Sequence, residues 1–120
     1  MTGFEKKLPA AFYQTSNGKE PVREWLQRLD LSDRKSIGAD IATLEFCWPV
    51  GLPHCRPITA RKGLWEIRSN MSNGRIARIL FCIHSRHMVL LHGFVKKTEK
   101  TPDKDLSLGM IRMQEVQSHG

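Results

Sequence analysis

The feature that most constrains this chain is the run LWEIRSNMSNGRIARILFCIHSRHMVLLHGFVKK over residues 64–97. Apolar residues recur in it at the strand period, and turn formers interrupt it twice. The spacing predicts strands over 64–70, 75–84 and 88–97, with turns at Ser72-Asn73-Gly74 and Ser85-Arg86-His87. Asn-Gly is a strong hairpin signal. The middle strand is apolar on both faces apart from Arg78, as a central strand should be.

The flanks supply elements to cover such a sheet. Residues 7–13 suit a short edge strand, demoted by Pro9, which cannot donate to a ladder. After the turn at Ser16-Asn17-Gly18, Pro21 opens a helix carrying Val22, Trp25, Leu26 and Leu29 on one stripe. Ser32 or Asp33 can cap a second helix, whose Ile37, Ile41 and Leu44 share a face. The prolines and glycine from Pro49 to Pro57 then predict an irregular connector up to Lys62, one wall of a groove through Arg56, Arg61 and Lys62. Past Pro102, Asp103 and Asp105 suit a helix N-terminus, and Leu106, Met110 and Met113 give a final amphipathic helix. Within it Gly109 stands where alanine would serve a helix better. The expectation is a single α+β domain spanning residues 1–120.

Charge is distributed unevenly. Residues 61–100 hold nine Lys or Arg and two acids, Glu66 and Glu99, so this window carries the whole net charge of +7. Cations gathered on one sheet suit a polyanion, nucleic acid before all. No apolar run approaches the roughly 20 residues of a membrane span, and the N-terminal apolar run is too short for a signal peptide. Three cysteines argue against a disulfide framework and fit a reducing compartment, so a cytoplasmic protein is expected. Cys47, His54 and Cys55 match no zinc spacing and read as buried or incidental; no metal or other cofactor is expected.

Strand alternation assigns faces. His92, Phe94 and Lys96 share one face of the last strand, opposite Leu91, Gly93, Val95 and Lys97. Glu66 and Arg68 lie opposite Trp65 and Ile67. One face then presents Arg68, Arg78, His92 and Lys96, while the other is buried under helices. A charge in an apolar strand needs a partner or a cleft, which makes Arg78 a candidate for function. Arg68 has an alternative reading as the surface partner of Glu66 or Glu99, His92 as a structural histidine, and Lys96-Lys97 as a solvated strand end. Cations, one imidazole and a lone acid can act on RNA without a metal, because RNA carries its own nucleophile in the 2′-hydroxyl. Arginine forks suit the charge of the crowded phosphorane. A lysine among cations has its pKa pushed down toward base chemistry, and His92 can act as acid or base near neutral pH. Arg75 and Lys100 extend the cationic surface, and Phe81, Phe94 or Trp65 offer rings on which a base can stack.

LWEIR, the R-I-L-F of the middle strand and above all LLHGFVKKTEKTP resemble the HigB-like, phage-derived branch of the RelE/ParE toxin superfamily, over about residues 21–116. The resemblance implies a curved antiparallel sheet with two N-terminal helices packed on one face and a C-terminal helix. It further implies a type II toxin that cleaves mRNA on the translating ribosome, without a metal, and is neutralised by a HigA-like helix-turn-helix antitoxin. Matched position by position, it assigns catalysis to Arg68, Arg78, His92, Lys96 and Lys97. Phe81 stands where many relatives carry tyrosine, and the only tyrosine, Tyr13, is remote in sequence. Two other readings keep the surface and drop the chemistry: a ParE-type toxin that binds and inhibits DNA gyrase, and a basic RNA-binding module without toxicity.

Overall fold

The apolar run beginning at Ile76 becomes the centre of a sheet. The computed structural model describes residues 5–49, 55–96 and 100–119, with Lys96 described by its backbone alone. Its strands are β1 (Ala10–Phe12), β2 (Cys55–Pro57), β3 (Trp65–Asn70), β4 (Ile76–His84) and β5 (His87–Lys96). They lie in the order β1-β5-β4-β3-β2. All neighbours are antiparallel except β1, which runs parallel to β5. Three helices flank this sheet among the described residues: α1 (Pro21–Gln27), α2 (Leu31–Cys47) and α3 (Asp103–His119). None of them is long and apolar enough to cross a membrane.

The sheet is therefore mixed, not wholly antiparallel as expected. Glu45 near the end of α2 holds the chain where it enters β1. Its carbonyl accepts the N–H groups of Lys7 (2.7 Å) and Leu8 (3.0 Å), and its carboxylate accepts that of Ala10 (2.7 Å). Those contacts divert residues 7 and 8 from any ladder and deliver only Ala10–Phe12 to the edge of β5. The connector expected to be irregular also contributes a strand. Cys55–Pro57 pairs with β3 at the opposite edge, where proline is tolerated because no further strand needs its missing N–H.

Both hairpins form where the sequence places them. Asn73 and Gly74 adopt positive φ (60° and 71°) in a single 3-10 turn. Ser85 and Arg86 (φ 50° and 64°) make the two-residue connection between β4 and β5, with His84 opposite His87.

The helices cover both faces. On one, Val22 of α1 and Ile37, Ile41 and Leu44 of α2 pack on Ile67, Ile79, Phe81 and Leu90. On the other, Leu106 and Met113 of α3 meet Leu64, Leu80, Cys82 and Leu91. Leu91 had been expected on the first of these faces. A bulge at Leu80/Phe81, where the partner of Leu80 is His92 and that of Phe81 is Leu90, leaves Leu91 as the extra residue and turns it toward α3.

Two glycines set how closely the helices approach. A methyl group on Gly93 would stand 2.4 Å from Cε3 of Trp25, so α1 packs directly on the backbone of β5. One on Gly109 would stand 2.8 Å from Cδ1 of Leu80, so the glycine in α3, rather than a flaw, is what seats that helix on β4. Asp33, expected as a cap of α2, lies inside its first turn and reaches across to β3–β4. It accepts the N–H (2.8 Å) and hydroxyl (3.0 Å) of Ser72 and pairs with Arg75 at 3.0 Å.

Gly93→Ala should destabilise the fold by about 1–3 kcal/mol through overpacking. Gly38→Ala, where a methyl meets nothing within 4 Å on α2, should stabilise it by about 0.5–1 kcal/mol. Urea midpoints at unchanged slope measure both. The backbone N–H of Ser72 holds the Asp33 carboxyl below its ordinary 3.8; burial opposes this, and the Ser72 hydroxyl and Arg75 add to it. With the folded value depressed, the unfolded state binds more protons, so the contribution is present above pH 3.8 and is lost as pH falls through the lower folded value. The stability gap between wild type and Asp33→Asn should therefore be full at neutral pH and narrow below pH 3.8 in acid-unfolding curves.

Candidate functional site

The pairing register aligns polar side chains in two adjacent rows on the face that carries α3. Arg56, Glu66, Leu80 and His92 stand opposite one another across β2, β3, β4 and β5. Arg68, Arg78 and Phe94 form the next row. Directly opposed residues share a face, so Arg68, Arg78 and His92 are brought to one side of the sheet. Lys96 follows on β5, opposite Ile76. Its side chain, and all of Lys97 and Glu99, lie outside the described residues.

Glu66 is the centre of this face. Its carboxylate is only 1% exposed and lies diagonally between the strands from Arg78. Arg78 donates through Nη1 to Oε1 at 2.5 Å. Arg56 donates to the same oxygen through Nε and approaches it with Nη2, both at 3.1 Å. Thr101, in the segment before α3, donates its hydroxyl to Oε2 at 2.5 Å. The charge that looked anomalous in β4 thus has an internal partner. Arg78 itself is 4% exposed and its buried Nε meets no acceptor among the described residues, so its guanidinium faces Glu66 instead of an open cleft. Arg68 is the outward member of the pair: exposed, and without an ion pair among the described residues. It does not bind Glu66, whose two oxygens are taken.

His92 is fixed from two sides. Its Nε2 lies 2.6 Å from Oδ1 of Asp105, and its ring stacks on Phe94 at 5.2 Å and 22°. Asp105 thus occupies the Nε2 side of the ring and leaves Nδ1 as its other nitrogen. Asp105, expected to serve the dipole of α3, instead joins that helix to β5.

Other expected residues go elsewhere. Phe81 is fully buried on the α1/α2 face and stacks on Trp65 at 6.2 Å, so it is core and offers no ring to a ligand. Arg75 pairs with Asp33 of α2 and ties down the turn before β4. Arg61 donates to the carbonyl of Ala60 at 3.2 Å, while Lys62 and Lys100 are exposed on the flank of the face. Tyr13 is buried at the β1 edge, donating to Glu115 at 2.9 Å under Arg112; burial, then that carboxylate, raises its phenol above 10.0. Burial pushes the Cys55 and Cys82 thiols up to about 11, which makes them inert packing groups. Among the described residues no group of three His, Cys, Asp or Glu side chains is placed to hold a metal ion, and His54 lies outside them.

Besides Glu66, which the sequence reading took only as a lone acid or a surface partner, that reading missed Thr101 and Asp105 as site residues. Both sit at the entrance to α3, where a Thr-Pro and an acid read as helix-start signals. Only the seating of α3 against β4 and β5 brings them to the sheet.

The family model described as Phage derived protein Gp49-like (DUF891) matches residues 24–114, from α1 nearly to the end of α3. No curated protein matches the chain.

Removing Glu66 should strand a buried guanidinium. Glu66→Ala is expected to cost about 3–5 kcal/mol in urea unfolding, the usual result of breaking a buried pair from one side. Arg68→Ala, which removes an exposed cation, should stay within about 0.5 kcal/mol of wild type.

Proposed function

Because the chain belongs to the phage-derived Gp49-like family, part of the RelE/HigB-type toxin-like superfamily, we propose that it is the toxin of a type II toxin–antitoxin system that cleaves mRNA on the translating ribosome. The observation that carries this reading is the register that sets exposed Arg68 beside Arg78 and His92 on one cationic sheet face. On this reading the fold is RelE-like, the protein acts in the cytoplasm, and a HigA-like helix-turn-helix protein neutralises it.

The chemistry follows from the groups present. The 2′-hydroxyl oxygen of the RNA attacks the adjacent phosphorus while its proton passes to a base. The bond to the 5′-oxygen breaks, and an acid protonates that oxygen. A 2′,3′-cyclic phosphate and a 5′-hydroxyl result. Arg68 takes the charge of the phosphorane, since it is exposed, has no ion pair among the described residues, and its fixed fork matches phosphate oxygens. Arg78, saturated on one side by Glu66, is a positioning residue that holds the electrostatic floor of the site. His92 transfers a proton through Nδ1 while Asp105 holds Nε2, and Lys96 with Lys97 supplies the complementary proton carrier.

One observation favours a reading without cleavage. Arg78 and Arg56 both direct their charge at Glu66, which draws these two cations away from the charge stabilisation that cleavage needs. A gyrase-binding toxin of the ParE type would fit that.

Induction in a bacterial host followed by mapping of mRNA 5′ ends decides between them. New 5′-hydroxyl ends in translated frames are expected with wild type. They should fall by about 10²-fold or more with Arg68→Ala and with His92→Gln, the usual loss when a charge-stabilising or proton-transferring group goes. Growth arrest with a DNA-damage response and no new ends would overturn the nuclease assignment in favour of the binder.

A further inference from the structure

The geometry points to a nucleotide-binding cleft between β2 and the start of α3, which seats one nucleoside monophosphate unit of the RNA beside the proposed site of cleavage. This rests on the RNA reading above and adds where a base of the substrate is held.

The cleft has a volume of about 630 Å³, within the about 300–1,000 Å³ of small-ligand sites. Arg56, Ile58 and Thr59 stand on one wall and Lys100, Thr101 and Leu106 on the other. Glu66 couples the walls from beneath: Arg56 holds its Oε1 from β2, and Thr101 holds its Oε2 from the α3 side. The opening is thus preorganised by a buried carboxylate.

The lining selects the ligand's chemistry. Arg56 keeps 47% of its side chain exposed, and its Nη1 bonds no described residue. It therefore offers a donor, on a guanidinium already held at two other nitrogens, to a phosphate oxygen. Lys100 adds a second positive charge, and no carboxylate among the described residues lines the cleft. Ile58 and Leu106, both attached to the apolar cluster under α3, supply flat apolar surface for a ring. An anion joined to a flat heterocycle satisfies both halves, whereas a bare phosphate would leave the apolar half unused.

Position links the cleft to the proposed cleavage site. Arg56 opposes Glu66, and Arg68 lies two residues further along β3. One strand spacing and one two-residue repeat separate the two backbone positions by roughly 8 Å. Neighbouring phosphates of one strand can reach both arginines, which places the base in the cleft next to the bond that breaks.

The test is a methyl-NMR titration of the intact protein with each of the four nucleoside monophosphates, and separately with inorganic phosphate. Saturable shifts at the Ile58 and Leu106 methyls are expected with at least one nucleotide, about tenfold weaker or more in Arg56→Gln. Ala60→Trp, which fills the cleft from an exposed position without touching Glu66, should abolish the shifts and redistribute the mapped cut positions while growth arrest persists. Absence of methyl shifts with all four nucleotides, equal shifts with inorganic phosphate, or unchanged cut positions in a folded Ala60→Trp would each overturn the cleft. Nucleotide binding without any cut transcript would sustain the cleft and remove only the nuclease reading.

Discussion

A carboxylate that water scarcely reaches needs partners from wherever the chain can supply them, and Glu66 draws them from β2, β4 and the approach to α3. Arg68 and Arg78 oppose each other across β3 and β4, a like-charge arrangement that by itself disfavours the pairing. The diagonal contact from Glu66 to Arg78 removes that penalty and leaves Arg68 outward. Ion pairs this deeply buried contribute little to net stability, because desolvation offsets their attraction. What they do here is geometric. They fix which guanidinium is inside, which is outside, and where the short edge strand β2 lies.

Sterics impose the second constraint, and it works on both sides of the same strands. Trp25 rests on the backbone of β5 at Gly93, and Leu80 fits against the backbone of α3 at Gly109. The bulge between Leu80 and Phe81 then lets His92 and Leu91 both serve the α3 face. Leu91 anchors the helix, and His92 receives Asp105 from its first turn. Without that irregularity, strict alternation would send one of the two residues to the opposite core.

The strands, both hairpins and the stripes of α1 and α2 were legible because each rests on local signals: period, turn chemistry and a proline at a helix start. The common face of Arg68, Arg78 and His92 was legible for the same reason. What the sequence concealed depends on contacts distant along the chain. The entry into β1 is held by Glu45, 35 residues from the N–H its carboxylate accepts. The strand at Cys55–Pro57 is too short and too proline-marked to announce itself, and its evidence is the partner it finds in β3. Phe81 and Arg75 looked like members of a binding surface because composition cannot tell a face from its reverse. Phe81 falls on the α1/α2 side by parity from Ile79, and Arg75 precedes the strand and answers Asp33 of α2. Asp105 and Thr101 carried plausible helix-start roles, so nothing in the sequence asked for a second one.

The distribution of charge between the inside and the rim bears on how such a face meets a polyanion. Arg78 is already desolvated and already paired, so a bound phosphate does not have to dehydrate it or displace water from it. Attraction then comes from cations that remain in solvent, Arg68, Lys62 and the exposed part of Arg56 among them. Contacts of that kind act through counterion release, weaken steeply with salt and are indifferent to base sequence. On the proposed RNA reading they would hold the strand on the sheet without choosing a position along it. Choice requires contact with bases, and bases need apolar or stacking surface that the cationic rows do not provide. Among the described residues such surface occurs on this face at Phe94 beside His92 and between Ile58 and Leu106 beside Arg56. On the proposed RNA reading, selectivity would be set at these two apolar sites flanking the cations, and not by the cations themselves.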